Sequence, residues 1–553
     1  MKAMTLATVL AAVSLIPAHG QLEITSFTRD GQLSWSDPGG TGTHYAVQWS
    51  DAGLTNWYSW QDAQARLSGL GPTGSVYVPM FYRMVSPDPT YQSNATYSYY
   101  YQTVPTLKLP LPLASNEMRI TFMGSMIPLP VRRAQAEMSV FVEVGWQNDT
   151  NDLVYHGRAL DQFVFDCGAG VSANFAAASV NFRRMDKVFI NHLHADHMSD
   201  LAHIYCFGAA ADRKSPLFVF GPGPSEVPDP LDGTVYDDGV SNFCANARAA
   251  WRWHSESFSF QSTGYTNYTV PTRESWGLPV DPIPVGKDPA NDAYAMIPIQ
   301  LPWTNIGGVA YQNPATGVKI THYPVIHTRK GSIGYMLEWT PPGTNKPLTI
   351  LYSSDTKPET NSVNLACNGT NGVDVFIHEM VIPPDMWAWK QLGLSGPPSP
   401  ANTNLYNMWQ AATEELTRVQ NSSHTPQGAY GYMLSQIQPA PRLAVATHFP
   451  VADDTVASAF SSVQAHCTNI VFGRDIVWSF DLMVLRVFPD RIEQWRADVS
   501  DFAWNPQPQL PPDLCVPKYN TNGVGNPFAQ IDLSTQISST NQDGTINYRP
   551  DGY

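Results

Sequence analysis

The feature that most constrains this chain is an apolar strand that runs straight into four metal-binding side chains. Lys187-Val-Phe-Ile190 is followed by Asn191-His192-Leu193-His194-Ala195-Asp196-His197. Side chains of an extended segment repeat every two residues, so His192 and His194 fall on one side of it. Asp196 and His197 then lie in the turn and can face a second ion. A mixed imidazole and carboxylate set suits Zn2+, and Mn2+ or Fe2+ can also use it.

Such a site needs a large domain to hold it. The chain has 553 residues, beyond the ~250–300 at which a single core stops growing, so a catalytic domain plus a smaller one is expected. Hydrophobic residues make up 43% of the sequence, ample for a core. Charged residues make up only 14%, against about 25% in an average globular chain. The formal net charge is −15, and no Lys/Arg run offers an electropositive groove. A nucleic acid would be bound against that field, so no nucleic-acid partner is expected.

The first twenty residues read as a signal peptide. Lys2 supplies the positive end, Met4 to Ile16 is apolar but too short to span a bilayer, and Ala18-His19-Gly20 puts small residues at a cleavage site. The expectation is a secreted or periplasmic protein without stable membrane insertion. A membrane anchor is the alternative, and the short apolar run argues against it. Six cysteines, Cys167, Cys206, Cys244, Cys367, Cys467 and Cys515, permit disulfides in an exported chain, and none lies in a CxxC pair.

Residues 21–88 show the alternation of a small all-β accessory domain: Leu33 and Trp35, Tyr45, Val47 and Trp49, then Val76, Val78 and Met80, separated by Gly-rich turns. Residues 89–116 read as a linker rich in Pro, Ser and Tyr, in which the Tyr97 to Tyr101 run serves packing. A catalytic domain is expected over 117–495, with strands at Met118–Gly124, Ser139–Val144, Phe163–Asp166 and Lys187–Ile190 and a helix after Asp166-Cys-Gly-Ala-Gly170. Strands alternating with helices indicate an α/β architecture. Residues 222–302, rich in Trp, Pro and Asp, read as an insertion over the core. Residues 496–553 read as a polar tail.

His-x-His-x-Asp-His resembles the signature of the metallo-β-lactamase superfamily, and further segments match that family's pattern in order. Asp166-Cys-Gly-Ala-Gly170 is similar to its Asp-x-Gly-x-Gly turn. Val325-Ile-His327 with Gly334-Tyr335 is similar to the third-histidine segment of the tRNase Z and arylsulfatase-like branch. Leu351-Tyr-Ser-Ser-Asp355-Thr is similar to the bridging-aspartate motif, and Ala446-Thr-His448-Phe-Pro to the last histidine motif. The resemblance implies an αββα sandwich with two metal ions. It assigns His192, His194 and His327 to one ion, Asp196, His197 and His448 to the other, and Asp355 between them. His322 is the rival for the third-histidine role; the Gly-Tyr spacing favours His327. Val373-Asp-Val-Phe-Ile-His378-Glu379 and Ser423-His424-Thr425 resemble further segments of the tRNase Z branch. They imply His424 as a general acid, steadied by His378 or Glu379.

Two ions close together lower the pKa of a bound water to about 7 and stabilise the developing oxyanion. Asp196 can also accept a proton. The expected activity is hydrolysis of an ester-type bond in a small molecule: sulfate ester, phosphodiester, carboxylic ester or lactone. A metal-containing binding protein tethered by its β-domain is the alternative from another class. A tRNase Z-like phosphodiesterase or β-lactamase is another. The fold alone does not choose the substrate.

Overall fold

The computed structural model describes the strands within residues 23–77 and then residues 97–499, except 98–99, 129–134, 150–156, 211–212, 214, 255–294 and 370. The expected leader at 1–20, Val78, Met80, Cys515 and the tail from 500 onward lie outside the described residues. The chain divides into two compact units, Met1–Asp88 and Pro89–Tyr553.

In the first unit, strands Glu23–Phe27, Gln32–Ser36 and Thr73–Tyr77 pair antiparallel in one sheet. Gln48–Ser50 and Trp57–Ser59 form a separate antiparallel pair. The described residues of this unit are all in strands.

The second unit holds two large sheets. The first has nine strands: β1 (Thr106–Lys108), β2 (Met118–Gly124), β3 (Ser139–Val144), β4 (Asp161–Phe165), β5 (Lys187–Phe189), β6 (Leu217–Pro222), β7 (Met296–Leu301), β15 (Met483–Val487) and β16 (Ile492–Asp498). Their spatial order is β7-β6-β5-β4-β3-β2-β15-β16-β1. The second sheet runs in sequence order: β8 (Gly308–Asn313), β9 (Val318–Pro324), β10 (Ile333–Trp339), β11 (Leu348–Tyr352), β12 (Val375–Glu379), β13 (Leu443–Thr447) and β14 (Ile476–Trp478).

Side-chain alternation sorts these strands into four layers. Phe163, Phe165, Phe189, Phe218 and Phe220 point inward and meet Tyr335, Leu337, Tyr352, Val445 and Val477 of the other sheet. Val164, Val188, Leu217 and Val219, one residue out of step, point outward against helices α1 (Val171–Ala177), α3 (Leu201–Ala210) and α4 (Val240–Ala250). On the far side, Leu351, Phe376, Ala444 and Ala446 meet α5 (Thr360–Cys367), α8 (Gln427–Gln436) and α9 (Asp453–His466). Full burial of one large apolar side chain stabilises by roughly 1.5–3 kcal/mol, and a one-residue slip would turn every one of them to the wrong face. This is the expected αββα sandwich.

Two readings of the sequence need correction. The stretch 222–302 is not simply a cover over the core. Within it, α4 buries Val240 and Cys244 against the first sheet, and β7 pairs in parallel with β6 along its full length. The supposed linker also belongs to this unit: β1 pairs with β16, and Tyr97 packs edge-on against Phe460 and Phe472.

Parallel pairing aligns the strand ends that matter. β4 and β5 are parallel in the first sheet; β11, β12 and β13 are parallel in the second. Three non-glycine residues just beyond such ends take left-handed conformations: Asp166 (φ 55°), Ser354 (φ 54°) and His448 (φ 55°). Such conformations are disfavoured for residues with a side chain, and they cluster at functional sites.

Candidate metal centre

The motif loop begins where β5 ends. His194 is extended (φ −74°, ψ 150°) and leads into α2 (Ala195–Met198), whose first turn carries Asp196 and His197. The Asp-Cys-Gly-Ala-Gly turn packs directly against it. Cys167 N–H donates to the His197 carbonyl at 2.7 Å. A Cβ on Gly168 would sit 2.0 Å from the Asp196 carbonyl oxygen, so only glycine fits there. Asn191 ties the loop to the other sheet, since its side-chain amide donates to the Ile333 carbonyl at 2.6 Å.

Two groups of side chains converge. His192, His194 and His327 form one; Asp196, His197, Asp355 and His448 form the other. Within each group the nearest nitrogen and oxygen atoms lie within 4.8 Å of one another. His194 Nδ1 is 3.0 Å from His192 Nε2 and 3.1 Å from His327 Nε2. Asp355 Oδ2 is 3.4 Å from both His197 Nε2 and His448 Nε2, and 3.9 Å from His327 Nε2, so it borders both groups. Asp196 Oδ2 lies 3.2 Å from His197 Nε2 and 3.3 Å from His448 Nε2.

The ring orientations are set from behind. Asp166 Oδ2 accepts from His197 Nδ1 at 2.9 Å, from the Tyr352 hydroxyl at 2.7 Å and from the Ser354 hydroxyl at 3.2 Å. Its Oδ1 accepts the Asn191 N–H at 3.0 Å. His327 Nδ1 donates to the Ser423 carbonyl at 2.9 Å. Each bond fixes a tautomer and leaves Nε2 to face the centre, as metal-binding histidines require.

The donors present fit divalent metal ions. His197 Nε2 and Asp355 Oδ1 are buried with no hydrogen-bond partner. Burial holds His192 well below the usual imidazole range and lowers His194 and His327, which keeps these rings neutral and ready to coordinate. In the second group burial also opposes charge. There Asp355, Asp196 and Glu379 nonetheless push His448 up to about 10, and Asp196, Asp355 and Asp166 raise His197. Buried carboxylates demand nearby positive charge, which protons or cations can supply.

Beside these groups lies a pair at the rim. His424, the residue that ends α7 (Thr403–Ser423), places Nδ1 at 2.8 Å and 3.0 Å from the two oxygens of Glu379. Glu379 also accepts the Thr356 N–H. His424 reaches within 3.8 Å of Asp355 Oδ2 and keeps 16% of its side chain exposed. Burial works against its charge, but Glu379 raises its pKa. His378 does not take part. It alternates with Glu379 along β12 and so faces the other way, between the Ser353 hydroxyl at 2.6 Å and the Thr425 hydroxyl at 3.1 Å, stacked on Tyr430. His322 is also elsewhere, with Nε2 at 3.0 Å from the Pro302 carbonyl. Sequence reasoning missed Tyr352, Ser354 and Ser423; the first two stand inside the Tyr-Ser-Ser-Asp segment, where their polarity beside a buried strand was the available sign.

No protein-family model matches the chain. Among curated proteins it is 30% identical over 99 residues to ribonuclease Z of Treponema denticola, covering 18% of this chain and 27% of that one. It is 30% identical over 105 residues to ribonuclease BN of Enterobacter sp., covering 19% and 31%. The chain thus spans about a third or less of these relatives' lengths. Solved structures similar to it include the metallo-beta-lactamase fold protein YhfI from Bacillus subtilis (14% identity, 67% of this chain and 100% of that one, TM-score 0.36). The human tRNase Z short form is another (15% identity, 66% and 98%, TM-score 0.31). These overlaps are too loose to bear on function.

The fold agrees with the resemblance to the metallo-β-lactamase superfamily that the ordered motifs carry. The αββα sandwich is the one that resemblance implies. The expectation that nucleic acid is excluded as a partner falls here, because the curated proteins that match are ribonucleases by name. The possibility of disulfides is not realised among the described residues of this metallo-β-lactamase fold: Cys167, Cys206, Cys244, Cys367 and Cys467 are free.

Proposed function

We propose that this chain is a metal-dependent phosphodiesterase acting on an oligonucleotide. One observation carries the reading: two groups of buried ligand atoms meet at Asp355, with a histidine–glutamate pair at the rim. The ribonuclease relatives support a phosphodiester over the other ester-type bonds. His192, His194 and His327 would hold one ion, and Asp196, His197 and His448 the other, with Asp355 shared. Zn2+ suits this imidazole-rich set best. Bound there, the ions supply an acidified water and positive charge for the phosphoryl oxygens.

The protein's own groups divide the remaining work. Asp196, whose Oδ2 lies between His197 and His448, can accept the proton of the attacking water. His424, whose pKa the adjacent Glu379 raises against the effect of burial, can donate a proton to the leaving oxygen. Asp166 and the Ser423 carbonyl keep the rings from turning. Export through residues 1–20 is part of the same proposal.

The test is hydrolysis of bis-p-nitrophenyl phosphate and of a short oligoribonucleotide by the full chain supplied with Zn2+. Cleavage of both is expected, with two ions bound per chain. His192→Ala should lose an ion and the activity together. A folded variant that keeps full activity would refute the proposal.

A further inference from the structure

We infer that a cleft beside the metal centre holds the phosphate next to the scissile one, with Arg329 as its anchor. The inference rests on the phosphodiesterase reading above. The cleft has a volume of about 520 Å³ and extends from His192, His194 and His327 to Tyr236, Asn242 and Lys330.

Arg329 lies two residues beyond His327 and lines the same cleft. Its Nε donates to Asp238 Oδ2 at 2.7 Å and to Ser225 Oγ at 3.1 Å. Asp238 is itself fixed, accepting from the Ser225 N–H and hydroxyl at 2.7 Å each. The guanidinium is therefore held by its inner nitrogen. Its two outer nitrogens have no partner among the described residues, and 51% of the side chain is exposed. Two parallel N–H donors on a planar group match two oxygens of a phosphate.

The other charges facing the cleft sharpen the point. Asp238 is paired with Arg329. Asp237 Oδ1 is turned onto the Gly239 N–H at 3.2 Å. Lys330 is exposed and makes no ion pair among the described residues. Two anions and two cations cancel formally, so free N–H donors, not net field, select the anion. Tyr236, 54% exposed, adds a ring on which a base can stack. A substrate with one phosphate would use the metal centre alone; a strand would use both.

The experiment compares a diribonucleotide, a triribonucleotide and bis-p-nitrophenyl phosphate on the Zn2+-loaded full chain. The wild type should prefer the trinucleotide over the dinucleotide by about tenfold in kcat/KM, equal to about 1.4 kcal/mol. In Arg329→Gln the ratio of trinucleotide to bis-p-nitrophenyl phosphate kcat/KM should fall about tenfold, through KM. Asp238→Asn, which unpins the guanidinium, should give part of that loss. Binding of a labelled single strand, followed by fluorescence anisotropy against salt, should lose about 0.7 from its log–log slope in Arg329→Gln. An unchanged ratio and slope in Arg329→Gln would overturn the inference. A wild type that cleaves bis-p-nitrophenyl phosphate but treats di- and trinucleotide alike overturns the anchor alone. A wild type that cleaves no phosphodiester overturns the phosphodiesterase reading and the anchor with it.

Discussion

Asp166→Asn separates the orientation of a ligand from the ligand itself. Asparagine tolerates the left-handed backbone at this position (φ 55°), so the change is one of hydrogen-bond polarity. Its Oδ1 can still accept the Asn191 N–H. Its amide nitrogen then faces His197 Nδ1, the Tyr352 hydroxyl and the Ser354 hydroxyl, all within 3.2 Å of the former Oδ2. The two hydroxyls can rotate and accept. His197 has one remedy, which is to move its proton to Nε2, where Asp196 Oδ2 at 3.2 Å receives it. The stability cost is therefore that of about one compromised buried group, ~1–3 kcal/mol, and not the sum of three. The cost to metal binding is larger in kind, because Nε2–H cannot coordinate. Loss of such an orienting partner weakens affinity ~10–100-fold, or about 1.4–2.7 kcal/mol. It should fall on the ion of Asp196, His197 and His448, while the group of His192, His194 and His327 keeps its ion. Competition with a chromophoric chelator should show one tight and one weakened site, with circular dichroism unchanged. Two ions held as tightly as in the wild type would refute the reasoning.

Three further outcomes test the rest of the site. His424→Ala should lower kcat on an oligoribonucleotide by ~10²–10⁴ while leaving both ions bound; the loss should be smaller on bis-p-nitrophenyl phosphate, whose leaving group needs no proton. Glu379→Gln removes the charge that raises the His424 pKa, so the basic limb of the kcat–pH profile should move to lower pH. Asp481, half-hidden near Ser125 and Asn174, has its carboxyl raised by burial to about 6, against bonds from Ala136, Ser125 and Asn174 that partly offset it. A raised folded pKa favours the protonated form. Its stabilising contribution is therefore complete below the unfolded value of 3.8 and is lost as pH rises through about 6. Asp481→Asn should flatten the Tm–pH curve between about pH 4 and 7 relative to the wild type; parallel curves would show that the carboxyl does not titrate there.

What was legible in the sequence was local. His192, His194, Asp196 and His197 lie on one short loop, and Gly168 sits where a Cβ would strike that loop, so short motifs carried the information. Features that depend on which face of a strand is turned inward were not legible. His378 and Glu379 are adjacent, one must face the site, and only the packing of β12 between β11 and β13 decides which. The same limit hid β7. Pro298 interrupts its apolar run, which argues against a central strand but is tolerated at an edge, and β7 is the edge of its sheet.

The net charge misled for a related reason, because it is a sum without positions. At physiological salt, exposed charges more than about 8 Å apart are largely screened from one another. The field felt by a phosphate in the cleft is then set by its immediate neighbours. Those are Arg329 with its partner Asp238, Lys330, Asp237 and whatever cations the seven ligands hold, while acidic residues beyond that range are screened. An excess of 15 negative charges spread over 553 residues can slow the approach of a polyanion. It does not decide what binds once a strand has reached His192 and Arg329. Raising the salt concentration should therefore weaken the Arg329 contact and relieve the long-range repulsion together, and only the first of these should vanish in Arg329→Gln.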